Sequence, residues 1–198
     1  VGVYTDGSNS FTGSGEINID GKGILVFNLM GTGLFNQNFN INSTTDSSYT
    51  FANMLNKEIF SEAKVNMAEN GIFINGVNSA VLLGEDSELF SQDSNIIGIA
   101  LDNINSTGMP VNINGELVEY EATNKGQMSF GNNSSGIYLI NGASGNNIGK
   151  ISLGMNSIGI YNIGGNTNNS GTVNISENSV GLFLTNGSNL ENSGYITS

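Results

Sequence analysis

The densest group of side chains that could perform acid–base chemistry is the carboxylate cluster Glu85, Asp86 and Glu88. Two carboxylates at a fixed separation can hydrolyse a glycosidic bond, one as general acid and the other as base or nucleophile. Here the cluster stands beside a break between strand-like runs and has no partner base. The chain contains no His, Cys or Arg, which excludes Ser-His and Cys-His nucleophiles and imidazole or thiolate metal ligands. We therefore expect no enzyme activity, no catalytic residue, no metal site and no cofactor.

The charge balance is strongly acidic, with 17 Asp and Glu against five Lys and a formal net charge of −12. Such a surface repels nucleic acid phosphates and anionic lipid headgroups, so neither is expected as a primary partner. The longest apolar runs are far too short to span a bilayer, and no membrane insertion of this segment is expected. Twelve of the acidic residues lie between Asp46 and Glu121.

Two sequence elements recur with the same period in the C-terminal third. The first reads Asn-Ser-x-Gly-x-aromatic and occurs at 133–138, 156–161 and 178–183. The second begins at Gly126, Gly149, Gly171 and Gly194. Both recur at an interval of about 23 residues, and a period held in two registers indicates one coil of a solenoid.

These observations predict an all-β fold, a right-handed parallel β-helix built of about 22–23-residue coils. Alternation along each strand should place Ile151, Val173 and Ile196 in one inward column. Tyr138, Tyr161 and Phe183 should form a further column of stacked rings in this apolar core. The 34 Asn and 28 Gly should mark the corners, where positive φ is needed, and repeated Asn can hydrogen-bond along the stack as a ladder. We expect residues 1–198 to form a single β-helix segment of a longer chain.

Two intervals interrupt the period, because the spans from Gly33 to Gly71 and from Gly98 to Gly136 are each much longer than one coil. In the first, residues 44–63 are predicted to be an insertion with a helical turn or two, since Phe51, Leu55 and Ile59 recur at i, i+4 and i+8. In the second, Asn114-Gly115 between alternating residues is typical of a hairpin turn, so residues 114–125 should protrude as a hairpin or loop.

Solenoids often carry function on loops inserted between coils, and these two intervals are therefore the candidate recognition surfaces. The alternative is that they are solvated decoration. The candidate partner-binding residues are Tyr49, Phe51, Lys57, Glu85, Asp86, Glu116 and Tyr120.

The two interleaved repeats resemble the passenger repeats of type Va autotransporters, in particular the large adhesins of the Fusobacterium type. The resemblance is clearest over residues 126–198 and weaker over 1–125. It implies a long β-helical passenger that is secreted across the outer membrane and displayed on the bacterial cell surface. The signal peptide and the C-terminal outer-membrane β-barrel of that family would lie outside this segment. No binding residue can be carried over, because the matching motif is structural.

The resemblance implies an adhesin segment that extends and presents binding surfaces for a protein or glycan receptor on another cell, with the segment itself monomeric. The alternative is a polysaccharide-binding or polysaccharide-cleaving β-helix of the tailspike type. The absence of Trp and the few exposed aromatic residues disfavour a sugar-stacking groove.

Overall fold

The chain forms a parallel β-solenoid, in which the coils contribute strands to three sheet faces. The computed structural model describes residues 3–6, 15–19, 24–35, 39–43, 49–60, 64–103, 111–113, 116–118 and 120–198, and the side chains of residues 64–103, 117 and 120–198. Successive coils pair in parallel, with Tyr138 beside Tyr161 and Tyr161 beside Phe183. The predicted parallel β-helix, its period and its all-β class are confirmed, and the described residues contain no helix.

Within the described residues, eight strands build each of two faces. The first face contains β1 (Val3–Asp6), β3 (Ile24–Phe35), β5 (Tyr49–Phe60), β7 (Ile72–Val77), β10 (Ile97–Asp102), β15 (Ser135–Ile140), β18 (Ile158–Ile163) and β21 (Val180–Thr185). The third face contains β2 (Gly15–Ile19), β4 (Phe39–Ser43), β6 (Lys64–Asn66), β9 (Glu88–Phe90), β14 (Gln127–Phe130), β17 (Lys150–Leu153), β20 (Thr172–Asn174) and β23 (Tyr195–Thr197).

The second face lies between these two along the chain. It contains β8 (Ala80–Leu83), β13 (Ala122–Asn124), β16 (Gly145–Asn147), β19 (Asn166–Asn169) and β22 (Asn189–Asn192). The long strands β3 and β5 continue from the first face onto the second, because β5 pairs with β7 through its first half and with β8 through its second. A separate antiparallel hairpin joins β11 (Val111–Ile113) to β12 (Glu116–Val118).

The core consists of inward columns that repeat from coil to coil. Ile151 pairs with Val173 and Val173 with Ile196, as predicted, and the first two side chains are fully buried. On the first face, Ile74, Ile99, Ile137 and Ile160 form an equally buried column. Stacked apolar side chains of similar shape bury their surface against the next coil, which stabilises the solenoid along its axis.

The Asn-Ser-x-Gly element turns the chain from the third face to the first. Asn133, Asn156 and Asn178 adopt positive φ of 54°, 56° and 58°, which Asn tolerates better than other non-glycine residues. The following serine links coils, since the Ser134 backbone N–H donates to Ser157 Oγ at 3.0 Å and the Ser157 N–H donates in turn to the next serine, Ser179. The motif is therefore structural.

A buried asparagine ladder occupies the corner between the second and third faces. The side-chain amide of Asn124 donates to Asn147 Oδ1, Asn147 to Asn169 Oδ1, and Asn169 to Asn192 Oδ1, each at 2.8 Å. The predicted ladder is confirmed. Its first rung is incomplete, because Leu83 occupies the same position one coil earlier and Asn124 Oδ1 has no partner.

The aromatic column stacks as predicted, but it lies outside the core. Ring centroids are 4.8 Å apart between Tyr138 and Tyr161 and 5.2 Å apart between Tyr161 and Phe183, with interplanar angles of 4° and 1°. Phe183 is 42% exposed, and the two tyrosines are half-buried, whereas their neighbours Ile137 and Ile160 are fully buried. Alternation along the strand points the rings outward, so the column lines the outer surface of the first face.

The predicted helical insertion at residues 44–63 is wrong over its described part. Residues 49–60 form β5, whose register places Tyr49 between Ile24 of the preceding coil and Ile72 of the following one. Both neighbours lie about one ordinary coil away along the chain. The interval from Gly33 to Gly71 is long because Gly33 lies in the second half of β3, opposite Glu58, and is not equivalent to Gly71. Residues 44–48 and 61–63 lie outside the described part of the chain.

Candidate functional site

In the part of the chain that the structure describes, one insertion interrupts the solenoid. It is identified from the number of residues between paired positions in neighbouring coils. Asp102 pairs with Ile140, a much longer step along the chain than the one from Tyr138 to its partner Tyr161. The insertion occupies residues 103–121, where the next coil has only the corner 141–144. It contains the hairpin of β11 and β12, in which Asn114-Gly115 connects the strands.

The predicted hairpin is thus confirmed, while its predicted boundary is too long. Residues 122–124 belong to the predicted protrusion, but they form β13, which pairs with β8 and β16 as an ordinary strand of the second face. The insertion returns to the solenoid at Glu121, not after residue 125.

The insertion lies over the outer surface of the second face. Strand β11 lies against β8 and β5. The outward residues of this face, Leu82, Thr123 and Asn146, follow one another in register and are 2%, 3% and 9% exposed. One further coil along, Asn168 is half-buried, and Glu191 in the last coil is exposed. The rise in exposure along the column indicates that the insertion covers the earlier coils and leaves the later ones open.

Where the insertion ends, a groove of about 470 Å³ opens over the second face, called here the Tyr120 groove. It is lined by Tyr120, Asn166, Thr167, Asn189, Leu190 and Glu191.

Hydrogen bonds fix the end of the insertion that carries Tyr120. The Tyr120 carbonyl oxygen accepts a hydrogen bond of 3.1 Å from Thr123 Oγ1. The adjacent carboxylate, Glu121 Oε2, accepts hydrogen bonds from the Ser144 backbone N–H at 2.8 Å and from Ser144 Oγ at 3.2 Å. The Glu121 backbone N–H donates to Ser144 Oγ at 3.1 Å. These bonds join the insertion to the next coil, so Tyr120 stands on a firmly held backbone.

The groove lining contains two side-chain amides that are paired at the coil repeat, because Asn189 Nδ2 donates to Asn166 Oδ1 at 3.0 Å. On the same face, outside the lining, Asn168 Nδ2 donates to Asn146 Oδ1 at 3.0 Å. Amides ordered in this way present both donors and acceptors to a bound molecule, and an aromatic ring adds an apolar surface. The groove lining holds one carboxylate, that of Glu191.

Three of the sequence-predicted site residues belong to the solenoid wall. Tyr49, Phe51 and Lys57 all lie on β5. Phe51 occupies the register position of Ile74, which is fully buried, and this is a core position in the regular coils. Lys57 is opposite Ala80 on the second face.

The other predicted residues lie in two separate places. Glu85 and Asp86 are exposed in the turn between β8 and β9, one coil after β5. Glu116 lies on β12 and Tyr120 at the end of the insertion, and of the predicted residues Tyr120 alone lines the groove. The predicted set therefore does not form one site.

The groove residues that the sequence analysis missed are Asn166, Thr167, Asn189, Leu190 and Glu191. All are in the regular C-terminal coils, where the repeat pattern predicts only corner and ladder roles for asparagine. Alternation was the available signal, because Asn166 and Asn168 precede and follow the inward Thr167 in β19 and must face outward.

Among the described residues, no group of three or more His, Cys, Asp or Glu side chains could hold a metal ion. The part of the chain that the structure describes also contains no helix with the length and apolarity needed to cross a membrane. Comparison with protein-family models, with curated proteins and with solved structures finds no match.

Proposed function

We propose that this chain is a segment of a surface-displayed bacterial adhesin, in which the solenoid extends the molecule and the insertion presents a contact site for a receptor on another cell. The observation that carries the proposal is the insertion at residues 103–121, held over the second face of an otherwise regular solenoid. A regular solenoid supplies length and rigidity, and a departure from regularity that is anchored by hydrogen bonds is the natural place for recognition.

The composition supports a role that involves binding and not chemistry. The groove lining offers amides, an aromatic ring and one carboxylate, which can hold a polar ligand by hydrogen bonds and apolar contact. Glycoside hydrolysis requires two carboxylates on either side of the scissile bond. The net charge of −12 keeps rods of this kind apart from one another and from anionic surfaces until a specific contact forms.

A second candidate function is polysaccharide binding, and the Tyr120 groove favours it. Sugar rings present hydroxyl groups, which pair with amide donors and acceptors, and C–H faces, which pack on aromatic rings. Such a function is compatible with adhesion to a glycan receptor, and it would also suit a tailspike-like protein that degrades its polysaccharide.

A glycan array followed by a turnover assay separates these candidates. We expect the chain to bind a subset of glycans or none, and to release no product from any of them. Tyr120→Ala should abolish glycan binding located in the groove, while Tyr138→Ala, an aromatic truncation on the first face, should leave it intact. Turnover of a polysaccharide would refute the adhesin-only proposal in favour of a tailspike-type enzyme.

A further inference from the structure

The outer surface of the first face is apolar through successive coils, unlike the outside of the other long sheet. In β7, β10, β15, β18 and β21, the first, fourth and sixth residues of each strand face outward. Of these fifteen positions eleven are apolar, the exceptions being Asn75, Asp102, Ser135 and Thr185.

The register extends the same pattern toward the N-terminus. The corresponding positions are held by Tyr49, Ala52 and Met54 in β5, and by three further apolar residues, at 24, 27 and 29, in β3. All six are apolar residue types. The apolar positions therefore run through seven successive coils.

The third face provides the contrast within the same molecule. Of its twelve outward positions in β6, β9, β14, β17, β20 and β23, ten are polar, and the exceptions are Phe90 and Tyr195. Alternation of apolar inward and polar outward residues is what a sheet with one face in water requires. A parallel sheet that is apolar on both sides is characteristic of sheets that are covered on both sides. The first face is apolar on both its inner and its outer side, as in sheets that are covered on both sides.

The centre of this surface is the stack of Tyr138, Tyr161 and Phe183. Their rings lie nearly parallel at the coil repeat. The flanking columns are mainly aliphatic, with Ile158 and Val180 on one side and Ile140 and Ile163 on the other, and each contains one polar residue beside the stack, Ser135 or Thr185. Contiguous apolar surface of this extent is uncommon on the outside of a monomeric protein and marks interaction sites.

We propose that the first face packs against the first face of a second copy of this chain. Three features favour this occupant. The outward side chains of this face recur once per strand, so a surface with matching spacing is another sheet with the same repeat. Two such sheets pack face to face about 10 Å apart. The first face contains one charged residue among its fifteen described outward positions, Asp102, so charge at the contact itself opposes the pairing of two chains of net charge −12 only weakly. A two-fold axis then makes the same patch serve both copies.

The area is sufficient for such a pair. Seven strands about 4.8 Å apart, each contributing about six residues of about 3.3 Å, give a face of about 29 Å by about 17 Å, or about 490 Å². Two such faces in contact bury on the order of 1,000 Å², which is about the smallest area of a specific protein interface. This proposal replaces the expectation of a monomer and is independent of whether the insertion binds a receptor.

The test is sedimentation velocity of the whole chain over a concentration series. We expect a reversible species of twice 20.7 kDa. Tyr161→Glu, which places a charge in the centre of the aromatic stack, should raise the dissociation constant at least about thirtyfold, as for the loss of an interface hot spot. Ser152→Glu is the matched control, because it adds the same charge at a half-buried outward position on the third face and should leave the dissociation constant unchanged.

Thermal unfolding of each variant separates loss of pairing from loss of fold. If Tyr161→Glu unfolds, Tyr161→Thr, which retains strand propensity, takes its place. A wild-type chain that is monomeric at every concentration would overturn the proposal, as would equal weakening by Tyr161→Glu and Ser152→Glu. A monomer that floats with neutral vesicles, and does so only with Tyr161 intact, would also overturn it and assign the face to a lipid surface.

Discussion

At the scale of single residues, each part of the repeated motif has a distinct physical role. Asn133 and its equivalents accept positive φ, the serine that follows connects one coil to the next, and Gly136 permits close approach. Outside the motif, the asparagines of the inner ladder satisfy one another in a corner that water does not reach. Buried amides are tolerated only when their donors and acceptors are paired, so the ladder makes this corner dependent on coil register.

Replacing an interior member of the ladder should be costly. Asn147→Leu leaves the Asn124 amide donor and the Asn169 carbonyl oxygen without their partners, and we expect a loss of about 2–4 kcal/mol in the free energy of unfolding. Urea unfolding followed by circular dichroism measures it.

The matched control is Asn124→Leu at the end of the ladder. Asn124 Oδ1 is already unpaired beside Leu83, so the substitution only moves the unpaired oxygen to Asn147. We expect a change of less than about 1 kcal/mol, since one buried orphan replaces another. Equal losses for the two variants would show that the ladder does not contribute as described.

A methyl group at Gly136 should destabilise the stack. A Cβ there would lie 2.7 Å from the Gly159 carbonyl oxygen and 2.8 Å from Ile151 Cγ2, so the coils must move apart. We expect Gly136→Ala to cost about 1–3 kcal/mol, as for overpacked cores, and the outward substitution Ser135→Ala to stay within about 0.5 kcal/mol. The same urea measurement applies, and a Gly136→Ala chain as stable as the wild type would contradict the close approach.

At the scale of elements, the sequence predicts the C-terminal coils and the hairpin, and it predicts the N-terminal coils in part, with a helix in place of β5. The period is readable over residues 126–198 because two motifs hold it independently, and Asn114-Gly115 identifies the hairpin turn. In β5, the recurrence of Phe51, Leu55 and Ile59 suggests a helix. In a strand, side chains four residues apart also point to the same side, because successive side chains alternate between the two sides. The pattern therefore cannot distinguish a helix from a strand.

The remaining element-scale errors have the same kind of cause. The long strand β3 continues through Gly31 and Gly33 onto the second face, so Gly33 lies within a strand although its context suggests a strand start. The Tyr120 groove could not be predicted from the sequence. Its lining combines Tyr120, at the end of the insertion, with residues of β19 and β22, which are distant from Tyr120 along the chain. The outward position of the aromatic column follows from strand alternation, but its apolar character suggests the core.

Removing the insertion should leave the solenoid intact. Residues 103–121 can be replaced by Asn-Gly-Ala-Ser, the corner that connects Ile140 to Gly145 in the next coil. We expect unchanged strand content by circular dichroism and a lower midpoint of thermal unfolding, because Ala80 and Leu82 lose their cover. Loss of all strand content would contradict the assignment of these residues as an insertion.

At the scale of the whole molecule, the three faces have different outer surfaces, and each suits a different role. The third face is polar and suits contact with water. The second face carries the insertion and the groove, which we assign to a receptor. The first face is apolar, and we assign it to a second copy. A pair of rods joined by their first faces would present two copies of the groove, which would strengthen attachment to a multivalent cell surface by raising the effective concentration.

The measurement that tests the proposed function most directly is binding of the labelled chain to bacterial and host cells, compared with binding of the chain that carries Asn-Gly-Ala-Ser in place of residues 103–121. The account predicts saturable binding of the wild type to at least one cell type and its loss in the replaced chain, with Ser152→Glu still binding. Equal binding by the wild-type and replaced chains, or no binding of the wild type to any cell, would contradict it.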